Sequence, residues 1–410
     1  MTYNETLECL YNSTPVFERV GASAYKEGLE NTIALDNHFG NPHRSFKTIH
    51  VAGTNGKGST SHTIAALLQC AGYRVGLYTS PHLVDFSERI RVNGEPVEQQ
   101  FVIDFVEKHK DFFEPLHPSF FELATAMAFK YFEEQKVDIA VIEVGLGGRL
   151  DCTNIISPLL TVITNISFDH TGFLGDTLAK IAGEKAGIMK DGVPCVIGEY
   201  VEETLPVFEK KAQEMDAKLI LAQDNDYEIP DFQLKGACQS RNAKTIMAAY
   251  EELVGMGVVS DDRTLVEDAF AHVCDITHLR GRWEVINHEP LVVCDTGHNV
   301  AGWEYLVPQI KQQHCNQRHI VFGMVDDKDI DTVMGMLPDD ATYYFCQAST
   351  HRAIPVERVA EIAKAHGLVG EEYHNVKDAY RAAIKKAAPD DFIFIGGSSY
   401  VVADLLTHLG

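Results

Sequence analysis

Seven residues, Gly53-Thr54-Asn55-Gly56-Lys57-Gly58-Ser59, carry the strongest chemical signal in the chain. Three glycines let backbone N–H groups close on phosphate oxygens. Lys57 can bridge β- and γ-phosphates, and the Ser59 hydroxyl, with Thr60 behind it, can face Mg²⁺. ATP is the natural guest. The match to G-x-x-x-x-G-K-[ST] is imperfect, because Val51 stands where the first glycine belongs and Gly58 intervenes before the hydroxyl residue. The bland alternative is a glycine-rich turn before a helix; the flanking elements and the lysine weigh against it.

Those elements are legible as a beat of short apolar runs and helical stretches. FKTIHVAG (46–53) reads as a buried parallel strand and Ser59 to Cys70 as the helix after it, so the glycine loop sits between strand and helix. VDIAVIEV (137–144), LLTVITNI (159–166) and VPCVIG (193–198) repeat the pattern. A βαβ series of this kind predicts an α/β fold with a P-loop-type, doubly wound, mostly parallel sheet. A second series, PLVVCDTG (290–297), RHIVFGM (318–324), TYYFCQA (342–348) and DFIFIGG (391–397), predicts a smaller Rossmann-like α/β domain. The change of unit falls near Asp275 to Gly281, giving domains 1–278 and 279–410.

The whole-chain numbers exclude several classes. With 410 residues, 45% apolar and 23% charged, the chain is an ordinary globular protein of two or three domains, not a disordered one. A net charge of −24 disfavours nucleic acid or an anionic membrane as partner. Nine scattered cysteines without a C-x-x-C pair read as reduced thiols. The first residues show no basic segment followed by an apolar core, and no run approaches the roughly eighteen apolar residues of a span. The expected location is cytoplasmic.

GTNGKGS resembles the loop of the Mur ligase superfamily, ATP-dependent amide-bond formers, in its folylpolyglutamate synthase and dihydrofolate synthase branch. Thr79-Ser80-Pro81-His82-Leu83 with Ser87-Glu88-Arg89-Ile90 is similar to the family's SPHL…ERI, Phe121-Glu122 to FFE, and 142–151 to EVGLGGRLD. Asp169-His170-Thr171, Glu184-Lys185-Ala186-Gly187, Gly281-Arg282 and Asp295-Thr296-Gly297-His298-Asn299 follow in the family's order. The chain departs from it at Glu27-Gly28-Leu29-Glu30-Asn31, where many bacterial members carry LGL-x-R at the pterin site, and at Thr296-Gly297 in place of Gly-Ala.

The resemblance implies a ligase that adds L-glutamate to dihydropteroate, to reduced folates, or to both, through an acyl phosphate. It places Ser59, Glu143 and His170 on Mg²⁺, with two metal sites expected, and makes Lys185 a carbamate that ligates the second ion. It puts Asn242 near adenine, Arg282 on the γ-phosphate, Asp295 near ribose and His298 near the nucleotide. Lys57, His170, Lys185 and Arg282 form the catalytic set. Ser80, Pro81, His82, Phe121, Arg149 and Asp151 surround the pterin and its tail. Glutamate falls to the second domain, with Lys328, His351, Arg352 and Ser398 as candidates and closure over ATP as that domain's second task. The partners are small molecules, and family members are commonly monomeric. The alternatives are another Mur-type amino-acid ligase or a nucleotide-dependent switch that performs no ligation.

Overall fold

The computed structural model describes residues 1–13 and 28–409; Glu27 of the stretch compared above lies outside the described residues. The chain divides into two compact units, one of residues 1–233 with 240–279, the other of residues 234–239 with 280–410.

The first unit is built on eight strands: Lys47–Ala52 (β1), Val75–Tyr78 (β2), Ile90–Val92 (β3), Glu95–Pro96 (β4), Ile139–Glu143 (β5), Leu160–Ile163 (β6), Cys195–Ile197 (β7) and Leu219–Leu221 (β8). Their order is β4-β3-β2-β5-β1-β6-β7-β8. The six strands from β2 to β8 run parallel, while β3 and β4 add an antiparallel edge. Successive side chains of a strand face opposite sides of the sheet. Ala140 and Ile142 of β5, two residues apart, therefore share a face and join a phenylalanine-rich core with Phe129 and Phe132, whereas Cys195 and Ile197 of β7 join a second core with Ile163 and Phe208. A sheet covered on both faces explains why these strands read as unbroken apolar runs.

Topology decides where a ligand goes. After β1 the chain fills one side of it with β2, β3, β4 and finally β5, then the other side with β6, β7 and β8, so β1 marks the switch point. Open α/β sheets bind ligands beyond the carboxyl ends of the strands at such a point. Three loops emerge there: 53–56 after β1, 144–151 after β5 and 164–170 after β6.

The helix after β1 spans Lys57–Cys70, and its residues from Ser59 to Leu68 are buried. The sequence predicts a helix from Asp176 to Lys190, but the observed helix is Leu178–Ala186. Thr177 caps its start by accepting the Lys180 amide at 3.2 Å, and Gly187 closes it.

In the second unit six strands, Glu284–His288 (β9), Leu291–Cys294 (β10), Arg318–Phe322 (β11), Ala341–Cys346 (β12), Gly370–Tyr373 (β13) and Phe392–Gly396 (β14), are ordered β13-β12-β11-β14-β10-β9. All pair in parallel except β9. Trp303, Phe322 and Phe394 centre its core.

Candidate active site

The loop after β1 is held open for an anion by its own backbone. Gly53 and Gly56 have φ of 146° and 85°, and a Cβ on Gly53 would lie 1.8 Å from Thr164 Oγ1. Only glycine fits there. Asn55 is pinned from the β6 loop: its amide donates to Asn165 Oδ1 at 2.9 Å, and its carbonyl accepts from Thr164 Oγ1 at 2.6 Å. The helix Lys57–Cys70 has no side-chain cap, which leaves its first N–H groups facing the loop. Asn242 closes the other flank, where a Cβ on Gly56 would meet its Oδ1 at 2.3 Å.

Two lysines converge on this loop. Lys57 Nζ donates to the carbonyls of Gly53 and Thr54 at 3.1 and 3.2 Å, and Lys185 Nζ donates to Gly53 O at 3.0 Å. Lys185 is only 4% exposed. Its pKa is pushed down to about 7, by burial first and the Lys57 charge second, against the opposing pull of Asp169 and Asp151.

Glu143 ends β5 directly opposite Val51 of β1 and is 4% exposed; its Oε2 accepts the Ser80 amide at 3.4 Å. Ser59 is buried in the first turn of the loop's helix. His170 stands before a short helix, Thr171–Leu174, at φ 49°, with Nε2 3.8 Å from Asp169 Oδ1. Among the described residues no three His, Cys, Asp or Glu side chains group as a metal cage. The donor chemistry still suits Mg²⁺, which takes one or two protein oxygens and completes its octahedron with phosphate and water.

The segments compared with the pterin loops come together on the β2–β5 side. Arg89, almost wholly buried, donates from Nε to His82 Nδ1 at 2.8 Å and lies 5.1 Å over the Phe120 ring. This fixes the Ser80-Pro81-His82 turn. Phe121 lies in the first turn of the helix Phe120–Glu134 and stacks on Tyr78 with centroids 5.8 Å apart. Glu122 belongs to that helix's cap, exchanging hydrogen bonds with Ser119, and also accepts from Asn31 Nδ2 at 3.4 Å.

Arg149 pairs with Glu184 Oε1 through Nε and Nη2 at 3.1 and 2.9 Å, which packs the loop after β5 over the helix that carries Lys185. Asp151 is buried and accepts from the amides of Gly145 and Leu146 through one oxygen and from Thr153 through the other. Burial raises its carboxyl pKa, and the Thr153 hydroxyl and the loop amides oppose the rise.

In the second unit, Arg282 Nη1 donates to Thr296 Oγ1 and to Gly281 O. Asp295 accepts the Trp283 amide at 2.7 Å and the Gly297 amide at 2.8 Å; burial raises its pKa while Arg282 opposes. His298 Nδ1 lies 3.1 Å from Thr296 O.

The glutamate candidates gather at the carboxyl edge of the same sheet. Arg352 Nη2 meets Asp327 Oδ1 at 2.6 Å, with Lys328 Nζ 3.9 Å from Asp327 Oδ2. Burial works against the Arg352 charge, but Asp327 and Tyr400 hold its pKa above the ordinary value. Ser398 is buried and accepts the Val401 amide at 3.2 Å. His351 is exposed beside Arg352.

Sequence reasoning named Asp327 with Lys328 and Asp329 as a glutamate candidate, but missed Thr164, Asn165 and Tyr400. Thr164 and Asn165 carried a usable signal, since a polar pair straight after a parallel strand belongs at the ligand edge. Tyr400 carried none beyond ordinary surface chemistry.

The Mur ligase middle domain family matches residues 51–229, and the Mur ligase glutamate ligase domain family matches residues 281–399. A dihydrofolate synthase/folylpolyglutamate synthase of Bacillus subtilis is 33% identical over 412 residues, covering 94% of this chain and 95% of that protein. A Haloferax volcanii relative, named a probable bifunctional folylpolyglutamate synthase/dihydropteroate synthase, is also 33% identical, and the chain spans about half (48%) of its length. Escherichia coli FolC in complex with DHPP and ADP superposes with a TM-score of 0.86 at 28% identity, covering 100% of this chain and 98% of that one. A Yersinia pestis folylpolyglutamate synthase/dihydrofolate synthase complexed with AMPPNP and Mn ion gives 0.84 at 28% identity, covering 100% and 98%. Continuous identity across nearly the whole chain, on the same two-sheet architecture, means that this protein belongs to the dihydrofolate synthase/folylpolyglutamate synthase family of Mur ligases.

Proposed function

We infer that this protein is an ADP-forming ligase that joins L-glutamate to dihydropteroate, to reduced folates, or to both. One observation carries the reading: two lysines, one of them buried with a pKa near neutrality, meet at the carbonyl of a glycine loop that ends in an uncapped helix. A simple nucleotide sensor needs no second, deprotonatable amine there.

Amide formation from a carboxylate in water is uphill, so the carboxylate is first phosphorylated. Its attack on the γ-phosphorus of ATP displaces ADP and gives an acyl phosphate. The loop amides and Lys57 hold the charge that spreads over the phosphoryl oxygens. The α-amine of glutamate then attacks the acyl carbon, loses a proton, and expels inorganic phosphate.

Ser59 and Glu143 are the residues we assign to Mg²⁺, with His170 and a carbamylated Lys185 serving a second ion. Bound there, the metal supplies charge neutralisation for the phosphates. Carbamylation needs a neutral amine: the Lys185 nitrogen attacks CO₂ and releases one proton, leaving a carboxylate. A pKa near 7 makes that amine available at physiological pH.

Phe121 and the turn Ser80–His82, together with Arg149, are assigned to the acceptor. Asn242, Arg282, Asp295 and His298 are assigned to the nucleotide, and Lys328, Arg352, His351 and Ser398 to glutamate. The protein is read as a monomer. The test is ADP release with glutamate plus dihydropteroate, glutamate plus tetrahydrofolate, and each component omitted. Release should require both glutamate and an acceptor; release indifferent to both would favour the switch reading.

A further inference from the structure

His50 lies on β1, three residues before Gly53, is wholly buried, and has no part in the steps assigned above. Its Nε2 is 2.8 Å from Thr153 Oγ1, and that oxygen is 2.5 Å from Asp151 Oδ1. Asp151 Oδ1 also accepts the Thr153 amide at 3.0 Å, while Oδ2 accepts the amides of Gly145 and Leu146 at 3.0 and 2.8 Å. Four donors thus occupy the acceptor positions of one carboxylate.

The chain of bonds has a direction. A carboxylate only accepts, so the Thr153 hydroxyl proton points at Asp151, and the lone pairs of that hydroxyl are left facing His50. The imidazole must therefore donate through Nε2–H, which leaves Nδ1 as a bare acceptor. Nδ1 has no hydrogen-bond partner among the described residues. A buried lone pair is a cheaper orphan than a buried N–H carrying charge.

What the chain holds is the start of the loop after β5. Gly145 packs so closely on Phe121 that a Cβ there would lie 2.5 Å from its Cζ. We propose that His50 is a positioning residue for the acceptor: its directed hydrogen bonds through Thr153 and Asp151 fix the Gly145–Leu146 backbone against Phe121. The inference rests on the assignment of Phe121 and this loop to the acceptor.

The test uses the full chain as His50→Asn, His50→Gln, Thr153→Val and the double variant His50→Asn/Thr153→Val. Asparagine places its amide where Nδ1 was and cannot reach Thr153, whereas glutamine reaches the Nε2 position. Acceptor KM should rise about tenfold in His50→Asn and in Thr153→Val, the loss of one buried hydrogen bond that orders the site. The double variant should be no worse than the worse single one, since both break one chain. Glutamine should bring acceptor KM back to within about threefold of the parent, on the same reasoning. Nucleotide affinity by calorimetry should not move.

An unchanged acceptor KM in Thr153→Val overturns the proposal, as does additivity in the double variant or an equal loss of nucleotide affinity. Should His50→Asn fail to fold, Thr153→Val decides alone, because it removes only the hydroxyl. A parent protein without acceptor-dependent turnover would instead overturn the ligase reading, and the proposal with it.

Discussion

Lys57 and Lys185 donate to the same atom, the carbonyl oxygen of Gly53, at 3.1 and 3.0 Å. Burial first, and the neighbouring Lys57 charge second, push the Lys185 pKa down to about 7, while Lys57 stays at the loop's mouth, partly exposed. Lys57→Ala should therefore lower kcat by about 10²–10³, the cost of removing one preorganised charge from a developing phosphoryl anion. Its thermal midpoint should stay within a few degrees of the parent. Turnover within a few-fold of the parent would remove Lys57 from the γ-phosphate.

With Lys185 carbamylated as proposed, activity should depend on CO₂ and pH. Protein freed of CO₂ should recover activity on adding bicarbonate, faster as pH rises through about 7 because the neutral amine is the form that reacts. The unmodified protein should also gain stability with pH above that point. Its folded-state pKa is depressed from 10.5 to about 7, so between those values the unfolded chain binds the extra proton. Lys185→Met should abolish both effects in bicarbonate titrations and in denaturant midpoints measured against pH.

Gly53→Ala probes the loop's close approach. The added Cβ would lie 1.8 Å from Thr164 Oγ1 at a φ of 146°, which strains backbone and neighbour together. Stability should fall by about 2 kcal/mol or more. Nucleotide affinity by calorimetry should fall with it, and a variant that keeps both would show that the loop has slack.

Arg352→Gln tests the second unit. Asp327 holds Arg352 at 2.6 Å with Lys328 alongside, a basic pair suited to a dicarboxylate. KM for glutamate should rise about tenfold or more, the usual cost of losing a buried charge-assisted bond, with KM for ATP unchanged. Equal shifts in both would assign the cluster elsewhere.

Much of this was readable from sequence because the physics is local. β1, the glycine loop and its helix announce themselves by apolar run, glycine spacing and helical period; β10, β11, β12 and β14 do so by their β-branched and aromatic runs. The short strands β3, β4 and β13 did not, since two to four residues are too few to carry a period. Site residues that act through distant partners were hidden for another reason. Thr164 and Asn165 matter because β6 lies beside β1, and His50 because Thr153 lies beneath it, pairings that exist only after folding. Asp151, read as an acceptor residue, has both oxygens committed to its own loop, a demand invisible in the letters RLD.

The account stands or falls on activation of the acceptor's carboxylate by phosphorylation. An acceptor labelled with heavy oxygen in that carboxylate, turned over with ATP and glutamate, should deliver one labelled oxygen to inorganic phosphate for each amide bond formed. Phosphate free of label would contradict it.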